Sequence, residues 1–259
     1  MSAYNGKVVL VTGAASGMGR IYARRLADQG ATVVAFDLNE AGLAETADGY
    51  AAIHGYTCDI SSRQAIDAAL ETVRGNHGQI DELVHAAALM PSHKLEDQSV
   101  EKVEQLFQVN FFGTVYMIKA LLPDMLARQQ GRMVIFGSIA GWALVPKMGA
   151  YCATKSAVNT YVETLQKEIR GRGVSVHLVC PPAVNTPLIN QTVETDTPGS
   201  IREALQNDRL AKPEAIVDSI EKGVSKGREI IYPGEARLLM LWKMLLPGLW
   251  WRTVLSFEK

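Results

Sequence analysis

The sequence predicts an α/β fold built as a single doubly wound parallel sheet with helices on both faces. Its 259 residues suit one large domain. Short apolar runs alternate with helical segments as far as residue 179, and no repeat, low-complexity tract or linker interrupts them. The first run, 7–12, is almost wholly apolar and lies between glycines, which is typical of a buried parallel strand. Strands and helices that alternate in this way indicate crossover helices on both faces of one sheet.

The remaining elements follow in chain order from their periodicity and their turn residues. Further strands are predicted over 31–37, 52–57, 80–87, 132–136, 174–179 and 229–232. Helices are predicted over 20–29, 39–47, 61–74, 99–128, 150–170 and 213–224. Gly30 ends the first helix, and Pro123 is expected to kink or break the longest one. We assign residues 1–234 to one domain.

Within that domain the alternation loosens over residues 187–212. This stretch is polar, and it contains Thr-Asp-Thr-Pro-Gly at 195–199. We expect a long loop that carries short helices, and long loops in compact domains tend to be lids or binding loops. Residues 187–212 are therefore the predicted substrate-binding loop.

Residues 235–259 form an apolar tail that contains three of the four tryptophans. Arg237, Lys243 and Arg252 interrupt it, and Pro247-Gly248 divides it into two short segments. A segment rich in tryptophan, leucine and cations suits a membrane interface. The same apolar surface also suits a subunit contact or a lid over an apolar pocket. Both interpretations stay open, and both favour an apolar substrate.

Composition excludes several classes of function. The net charge of −1 argues against nucleic-acid binding, which needs a basic surface. The three cysteines and five histidines show no disulfide or metal-ligand spacing, so we expect no metal and a reducing compartment. The N-terminus does not resemble a signal peptide, and no apolar run approaches the ~18 residues of a membrane span. We expect a cytoplasmic protein, with peripheral membrane association through the tail as an alternative.

A glycine-rich turn follows the first strand and opens the first helix. The spacing Gly13-x-x-x-Gly17-x-Gly19 allows a tight turn and lets a phosphate approach the backbone N–H groups at the helix N-terminus. Asp37 ends the second strand, where an acid can bind the adenosine ribose hydroxyls. Its charge repels a 2′-phosphate. The turn and the acid together predict a dinucleotide cofactor, with NAD favoured over NADP.

Tyr151 and Lys155 lie four residues apart and therefore share one face of a predicted helix. A free tyrosine has a pKa of about 10, too high for efficient proton transfer near neutrality. A neighbouring ammonium group is expected to lower that pKa. Ser138 follows a predicted strand and could present its hydroxyl to the oxygen with which Tyr151 exchanges a proton.

These motifs together resemble the short-chain dehydrogenase/reductase family from about residue 6 to residue 190. The resemblance rests on Thr12–Gly19, Asp59 after the third strand, Asn110 in Val-Asn-Phe-Phe-Gly, Ser138, and Tyr151-x-x-x-Lys155. It implies a Rossmann-type fold, with Tyr151 as general acid/base and Ser138 bonded to the substrate oxygen. It also implies that Lys155 lowers the pKa of Tyr151 and holds the nicotinamide ribose, that Asn110 supports a water-linked proton relay, and that Asp59 contacts adenine.

The resemblance defines two sets of expected site residues. The catalytic set is Asn110, Ser138, Tyr151 and Lys155. The cofactor-binding set is Gly13, Ser16, Gly17, Met18, Gly19, Asp37, Asp59, Ile60, Ala87, Tyr151, Lys155, Val184 and Thr186. Val184 and Thr186 match family positions that face the nicotinamide carboxamide.

The sequence departs from the family pattern at two places. His85-Ala-Ala-Ala88 replaces Asn-Asn-Ala-Gly after the fourth strand, and we expect His85 to be a structural substitute for asparagine. Pro181-Pro182 replaces Pro-Gly after the sixth strand. Proline removes an N–H group and fixes φ, so we expect the loop on the nicotinamide side to be reshaped. Neither change touches the proton-transfer residues.

We therefore expect an NAD-dependent oxidoreductase that moves a hydride between nicotinamide and a hydrophobic secondary alcohol or ketone. Three alternatives stay open. The protein could reduce long-chain acyl or aldehyde substrates at a membrane surface. It could be a catalytically idle dinucleotide-binding regulatory protein. It could also be a membrane-binding module in which redox chemistry is secondary. The resemblance further implies a homodimer or homotetramer.

Overall fold

The computed structural model describes residues 4–258. Its strands are β1 (Val8–Thr12), β2 (Thr32–Asp37), β3 (Ile53–Thr57), β4 (Glu82–His85), β5 (Gly131–Phe136), β6 (Val174–Val179) and β7 (Ile230–Ile231). All neighbouring strands pair in parallel, in the order β3-β2-β1-β4-β5-β6-β7. The predicted parallel sheet is confirmed.

The helices of the first half are α1 (Gly17–Asp28), α2 (Glu40–Ala47), α3 (Arg63–His77), α4 (Val100–Phe107) and α5 (Gly113–Ala127). Those of the second half are α6 (Gly149–Glu168), α7 (Pro187–Val193), α8 (Gly199–Gln206), α9 (Pro213–Ser225), α10 (Ala236–Leu245) and α11 (Pro247–Ser256). Leu26 of α1 and Ile220 of α9 belong to the core on one face of the sheet, whereas Ile66 of α3 and Val158 of α6 belong to the core on the other. The sheet is doubly wound.

The strand order determines where on the sheet a ligand-binding crevice forms. From β1 the chain runs outward to β2 and β3, and it then returns to place β4 on the other side of β1. A crevice forms where the order reverses, and ligands of open α/β sheets bind outside the carboxyl ends of the strands there. The residues that follow β1 and β4 therefore lie together at this crevice.

Of the kink or break predicted at Pro123, the break is wrong. The helix α5 runs through Pro123 to Ala127. Pro123 is exposed, so water can satisfy the carbonyl group that loses its N–H partner. The irregularity lies instead at 108–112, a single π-helical turn between α4 and α5 that contains Asn110. Turns of this kind often occur at functional sites.

Two of the predicted boundaries that differ from the structure lie at the crevice. The first helix begins at Gly17 rather than Arg20, so the second half of the glycine-rich turn is already helical. The fourth strand covers Glu82–His85 rather than 80–87, because the chain leaves the ladder after His85 to line the crevice. No helix within residues 4–258 has the length and apolar character needed to cross a bilayer.

Candidate active site

The glycine-rich turn between β1 and α1 is held in close contact with the chain after β4. Gly13 has a φ of 68°, and a Cβ there would lie 2.7 Å from the amide nitrogen of Ala87. A Cβ at Gly19 would overlap the carbonyl oxygen of Gly13. The guanidinium group of Arg20 donates to the carbonyl oxygen of Ala15 and braces the turn from behind. The turn thus leaves free space beside the first N–H groups of α1, where a diphosphate fits.

We expect Gly19→Ala to destabilise the protein and to abolish NADH binding, because the added methyl group must displace the Gly13 carbonyl. Overpacking of this kind costs about 1–3 kcal/mol in the free energy of unfolding. Thermal unfolding and NADH fluorescence titration measure the two effects. Gly75→Ala is the matched control, because Gly75 lies within α3 and no atom beyond its own helix comes within 4 Å of an added Cβ. Equal stability and affinity in the two variants would contradict the role given to Gly19.

Asp37 ends β2, Asp59 follows the neighbouring strand β3, and both line the crevice. Asp37 Oδ2 accepts from the amide of Ala15 at 3.1 Å, and its Oδ1 accepts from the amide of Asn39 at 3.0 Å. Asp59 Oδ1 accepts from the amide and hydroxyl groups of Ser61 at 2.8 and 2.7 Å. These bonds fix both carboxylates at the wall of the crevice, where they can accept hydrogen bonds from a ligand.

The crevice brings together most of the residues predicted to bind the cofactor. It is lined by Gly13, Ser16, Gly17, Met18, Gly19, Asp37, Asp59, Ile60, Ala87 and Thr186. A Cβ at Gly17 would lie 3.2 Å from the Cβ of Thr186, so the turn and the loop after β6 are close neighbours. The glycine cradle, the helix N-terminus and the two carboxylates fit the diphosphate and ribose groups of a dinucleotide.

A second cavity of about 660 Å³ adjoins the crevice and contains three of the residues predicted to carry out proton transfer. Ser138, Tyr151 and Lys155 line it together with Val184, and Met18 and Thr186 line both spaces. Ser138 Oγ accepts from the amide of Ala140 at 3.0 Å. The side chains of Tyr151 and Lys155 emerge from the same face of α6, with Lys155 Nζ 5.9 Å from the centre of the Tyr151 ring. A substrate oxygen in this cavity can therefore meet both hydroxyl groups.

Burial shifts the pKa values of both Tyr151 and Lys155. It raises the pKa of Tyr151 well above its usual value, and an interaction with the Ser138 hydroxyl only partly opposes the shift. Burial also lowers the pKa of Lys155 to about 8. Lys155 Nζ donates to the carbonyl oxygen of Phe136 at 2.9 Å. The shift of Tyr151 is opposite to the predicted direction, because desolvation of the phenolate is its largest cause and outweighs the hydrogen bond with Ser138.

Asn110 does not line either cavity, and its side chain is fully occupied. Its Oδ1 accepts from the amide of Leu89 at 2.8 Å, while its Nδ2 donates to the carbonyl of Leu89 at 2.9 Å and to Thr154 Oγ1 at 3.1 Å. The side chain thus ties the chain after β4 to the catalytic helix α6. Asn110 acts as a positioning residue in this structure, and its part in a proton relay stays a prediction.

The ring of His85 connects elements of the fold through hydrogen bonds. Its Nδ1 lies 2.8 Å from Thr12 Oγ1 and its Nε2 lies 3.1 Å from Thr114 Oγ1, so the ring joins β1, β4 and α5. Burial lowers the pKa of His85 to about 3, which keeps the ring neutral. Thr12 Oγ1 also accepts from the amide of Ala87 at 3.3 Å. A histidine can therefore connect the elements beneath the crevice.

Sequence reasoning missed the residue that positions Ser138. Asn159 Nδ2 donates to the carbonyl of Ser138 at 3.0 Å, and its Oδ1 accepts from the amide of Ser138 at 3.4 Å. Asn159 follows Tyr151 and Lys155 at intervals of four, so all three lie along one face of α6. That spacing is a sequence signal that could have identified it.

The substrate side of the cavity is built from the 187–212 region and the tail. Ile189 of α7 and Ile201 of α8 form a small apolar cluster with Met90, Met148 and Tyr151. Leu239, Trp242, Trp250 and Val254 line the cavity from α10 and α11. Trp250 is buried, and its Nε1 donates to the carbonyl of Leu144 at 3.1 Å. The tail is thus a wall of the cavity rather than a separate appendage.

Comparison with known proteins agrees with this site. The short chain dehydrogenase family matches residues 7–197. An uncharacterized oxidoreductase of Staphylococcus saprophyticus is 37% identical over 191 residues, which cover 72% of this chain and 82% of the relative. Human epidermal retinol dehydrogenase 2 is 29% identical over 251 residues, covering 93% of this chain and 79% of the relative. A short chain dehydrogenase/reductase from Burkholderia phymatum, solved in complex with NAD, has a TM-score of 0.83, 26% identity and 92% coverage of both chains.

The fold and site define an oxidoreductase that acts on CH–OH groups with a nicotinamide dinucleotide. The chain belongs to the short-chain dehydrogenase/reductase family.

Proposed function

We propose that the protein interconverts hydrophobic secondary alcohols and ketones, with NAD preferred over NADP. The observation that carries this proposal is the cavity beside Tyr151, whose walls are mainly apolar side chains from α7, α8, α10 and α11. Similarity to a retinol dehydrogenase, whose name denotes an apolar alcohol substrate, supports the same substrate character. Asp37 at the end of β2 supports NAD, because its charge opposes a 2′-phosphate.

The positions of Ser138, Tyr151 and Lys155 along the cavity support a role for each of them. Bound nicotinamide supplies the hydride acceptor for oxidation and the hydride donor for reduction. Tyr151 takes the hydroxyl proton from an alcohol, or gives its proton to a ketone oxygen. Ser138 holds the same oxygen by a hydrogen bond, and Lys155 holds the ribose beside it. The raised pKa of Tyr151 favours the phenol, which is the form that donates to a ketone, whereas oxidation of an alcohol uses the phenolate form of the same residue.

The apolar cavity predicts that activity rises with the length of the substrate. Each buried methylene group contributes about 0.8 kcal/mol, which corresponds to about a fourfold gain in kcat/KM. We expect this gain across a series of 2-alkanols until the cavity is filled, measured as NAD⁺ reduction. A flat or falling series would contradict the proposed substrate class, and a stronger response to long aldehydes would favour the acyl or aldehyde alternative.

Two substitutions in α8 test the same substrate class by changing the cavity instead of the substrate. Ala204 lines the cavity, whereas Leu205 is exposed and does not. We expect Ala204→Trp to raise KM for the longest 2-alkanols with little change for the shortest. Leu205→Trp, the matched control, is expected to leave both unchanged.

The predicted assembly into a homodimer or homotetramer and the cytoplasmic localisation stay proposals. Val100 of α4 and Phe112 of the π-helical turn are exposed apolar side chains, which supports a contact between subunits on that face.

A further inference from the structure

The tail helices α10 and α11 carry apolar side chains on their outer surface as well as against the cavity. The outer set is named here the tail ridge, and it consists of Leu238, Leu241, Met244, Leu245, Leu246 and Leu249. Their exposed fractions run from 38% for Leu241 to 73% for Leu245. The ridge covers the outer face of α10 and the turn into α11. A contiguous apolar surface of this kind indicates a partner.

The ridge belongs to a well-anchored part of the structure. The rings of Trp242 and Trp250 pack edge to face with their centres 5.4 Å apart, which joins α10 to α11. Beyond α11, Glu258 Oε1 accepts from the amide of Gly199 at 2.6 Å, and Glu258 Oε2 lies 3.4 Å from Lys147 Nζ. The Glu258 contacts bind the C-terminal end of the helix pair to the body of the protein. The apolar side chains are therefore held outward by a fixed scaffold.

The charges around the ridge identify the kind of partner. Arg237, Lys243 and Arg252 are the charged residues of the segment 236–257, which contains no aspartate or glutamate. Arg237 begins the exposed face of α10, and Arg252 lies between Leu249 and the exposed Leu255 on α11. Lys243 Nζ lies 5.7 Å from the centre of the Trp251 ring. Apolar side chains flanked by cations and an aromatic ring match the boundary between acyl chains and anionic headgroups.

A second copy of the chain fits the ridge less well. Two-fold pairing would place the same segment on both sides of the interface. The six cations of the two segments would then share one interface, and no carboxylate within 236–257 could pair with them. An anionic lipid surface has no such conflict.

We propose that the tail ridge docks the protein on an anionic membrane surface, so that apolar substrate reaches the cavity from the bilayer. The docking step rests on the ridge alone, whereas the delivery of substrate rests on the proposed function. The helices α10 and α11 connect docking to substrate delivery, because the inner side of this helix pair lines the cavity with Leu239, Trp242 and Trp250. The helices lie along the surface and do not cross the bilayer.

Sedimentation of the full chain with vesicles tests the docking step. We expect the protein to sediment with phosphatidylcholine vesicles that contain phosphatidylserine, and less with pure phosphatidylcholine or at high salt. Leu241→Glu/Leu245→Glu is expected to lower the bound fraction per unit lipid by about tenfold or more, since it removes two large apolar side chains from the contact. Neither residue lines the cavity.

Leu95→Glu/Val193→Glu is the matched control. It adds the same charge at two apolar positions outside the ridge, which are 66% and 50% exposed. The control is expected to bind vesicles as the wild type does. Wild-type protein that stays in the supernatant with every vesicle, or a ridge variant that binds like the wild type, would overturn the proposal. A wild-type dimer that the ridge variant alone converts to monomer would also overturn it, and would make the ridge an interface between copies.

Turnover of a short, water-soluble 2-alkanol without vesicles separates this proposal from the proposed function. The ridge variant is expected to retain that turnover, since its cavity is unchanged. If wild-type protein binds vesicles but turns over no alcohol, the docking step stands and the proposed function fails. If it turns over alcohols but binds no vesicle, the proposed function stands and the docking step fails.

Discussion

Tyr151→Phe is expected to lower kcat for the oxidation of 2-alkanols by about 10²–10⁴-fold, the usual contribution of a general acid or base. The phenol is the titratable group that the structure places in the cavity next to Ser138. Removing its oxygen leaves the substrate hydroxyl without a proton acceptor. Because Tyr151 is buried by its neighbours, loss of one oxygen is expected to preserve the fold. Steady-state NADH formation measures the effect, and NADH titration shows whether the cofactor still binds.

Tyr161→Phe is the matched control for this experiment. Tyr161 lies on the same helix α6, but its ring packs against Phe111, with ring centres 6.1 Å apart, and does not line the cavity. The control is expected to keep wild-type turnover. A Tyr151→Phe enzyme that retained more than about a tenth of wild-type kcat would be inconsistent with general acid–base catalysis at this position.

Asp37→Asn is expected to shift the cofactor preference toward NADP. A charge pair about 4 Å apart is worth between about 1 kcal/mol in water and about 4 kcal/mol near a protein surface. Removing the carboxylate charge should therefore raise the ratio of kcat/KM for NADP⁺ to that for NAD⁺ by about tenfold or more. The amide keeps one oxygen to accept from Ala15 or Asn39, whose N–H groups now bind the carboxylate.

Asp48→Asn provides the comparison for the Asp37 variant. Asp48 is exposed at the end of α2 and lies outside the crevice, so the same chemical change there is expected to leave the ratio unchanged. A ratio that did not change in the Asp37 variant either would mean that another group sets the cofactor preference.

The parallel sheet and the phosphate-binding turn could be predicted because local signals determine them. The apolar run 8–12 is buried on both sides only in a sheet that is covered on both faces. Gly13 and Gly19 occupy positions where a side chain would collide with backbone. Tyr151 and Lys155 were identifiable by their helical spacing for the same reason. Each of these features shows a recognisable spacing of residues along the chain, even though the close contact at Gly13 is with the distant Ala87.

Features that depend on contacts distant in sequence could not be predicted in the same way. The hydrogen bonds of Asn110 with Leu89 and Thr154 form only when three elements have come together in the fold. The raised pKa of Tyr151 reflects its burial, which the sequence does not reveal. The tail lines the cavity on one side and exposes apolar groups on the other, and only the packing of Trp250 shows which side is which.

The most direct test of the central claim is the fate of the carbinol hydrogen of an apolar alcohol. We would incubate the full chain with NAD⁺ and a long 2-alkanol that carries deuterium on the carbinol carbon, and measure the reduced cofactor by mass spectrometry. The account predicts deuterium in the NADH from wild-type protein and almost none with Tyr151→Phe, although both proteins bind NADH. Wild-type protein that binds NADH but transfers no deuterium from any apolar 2-alkanol would contradict the account.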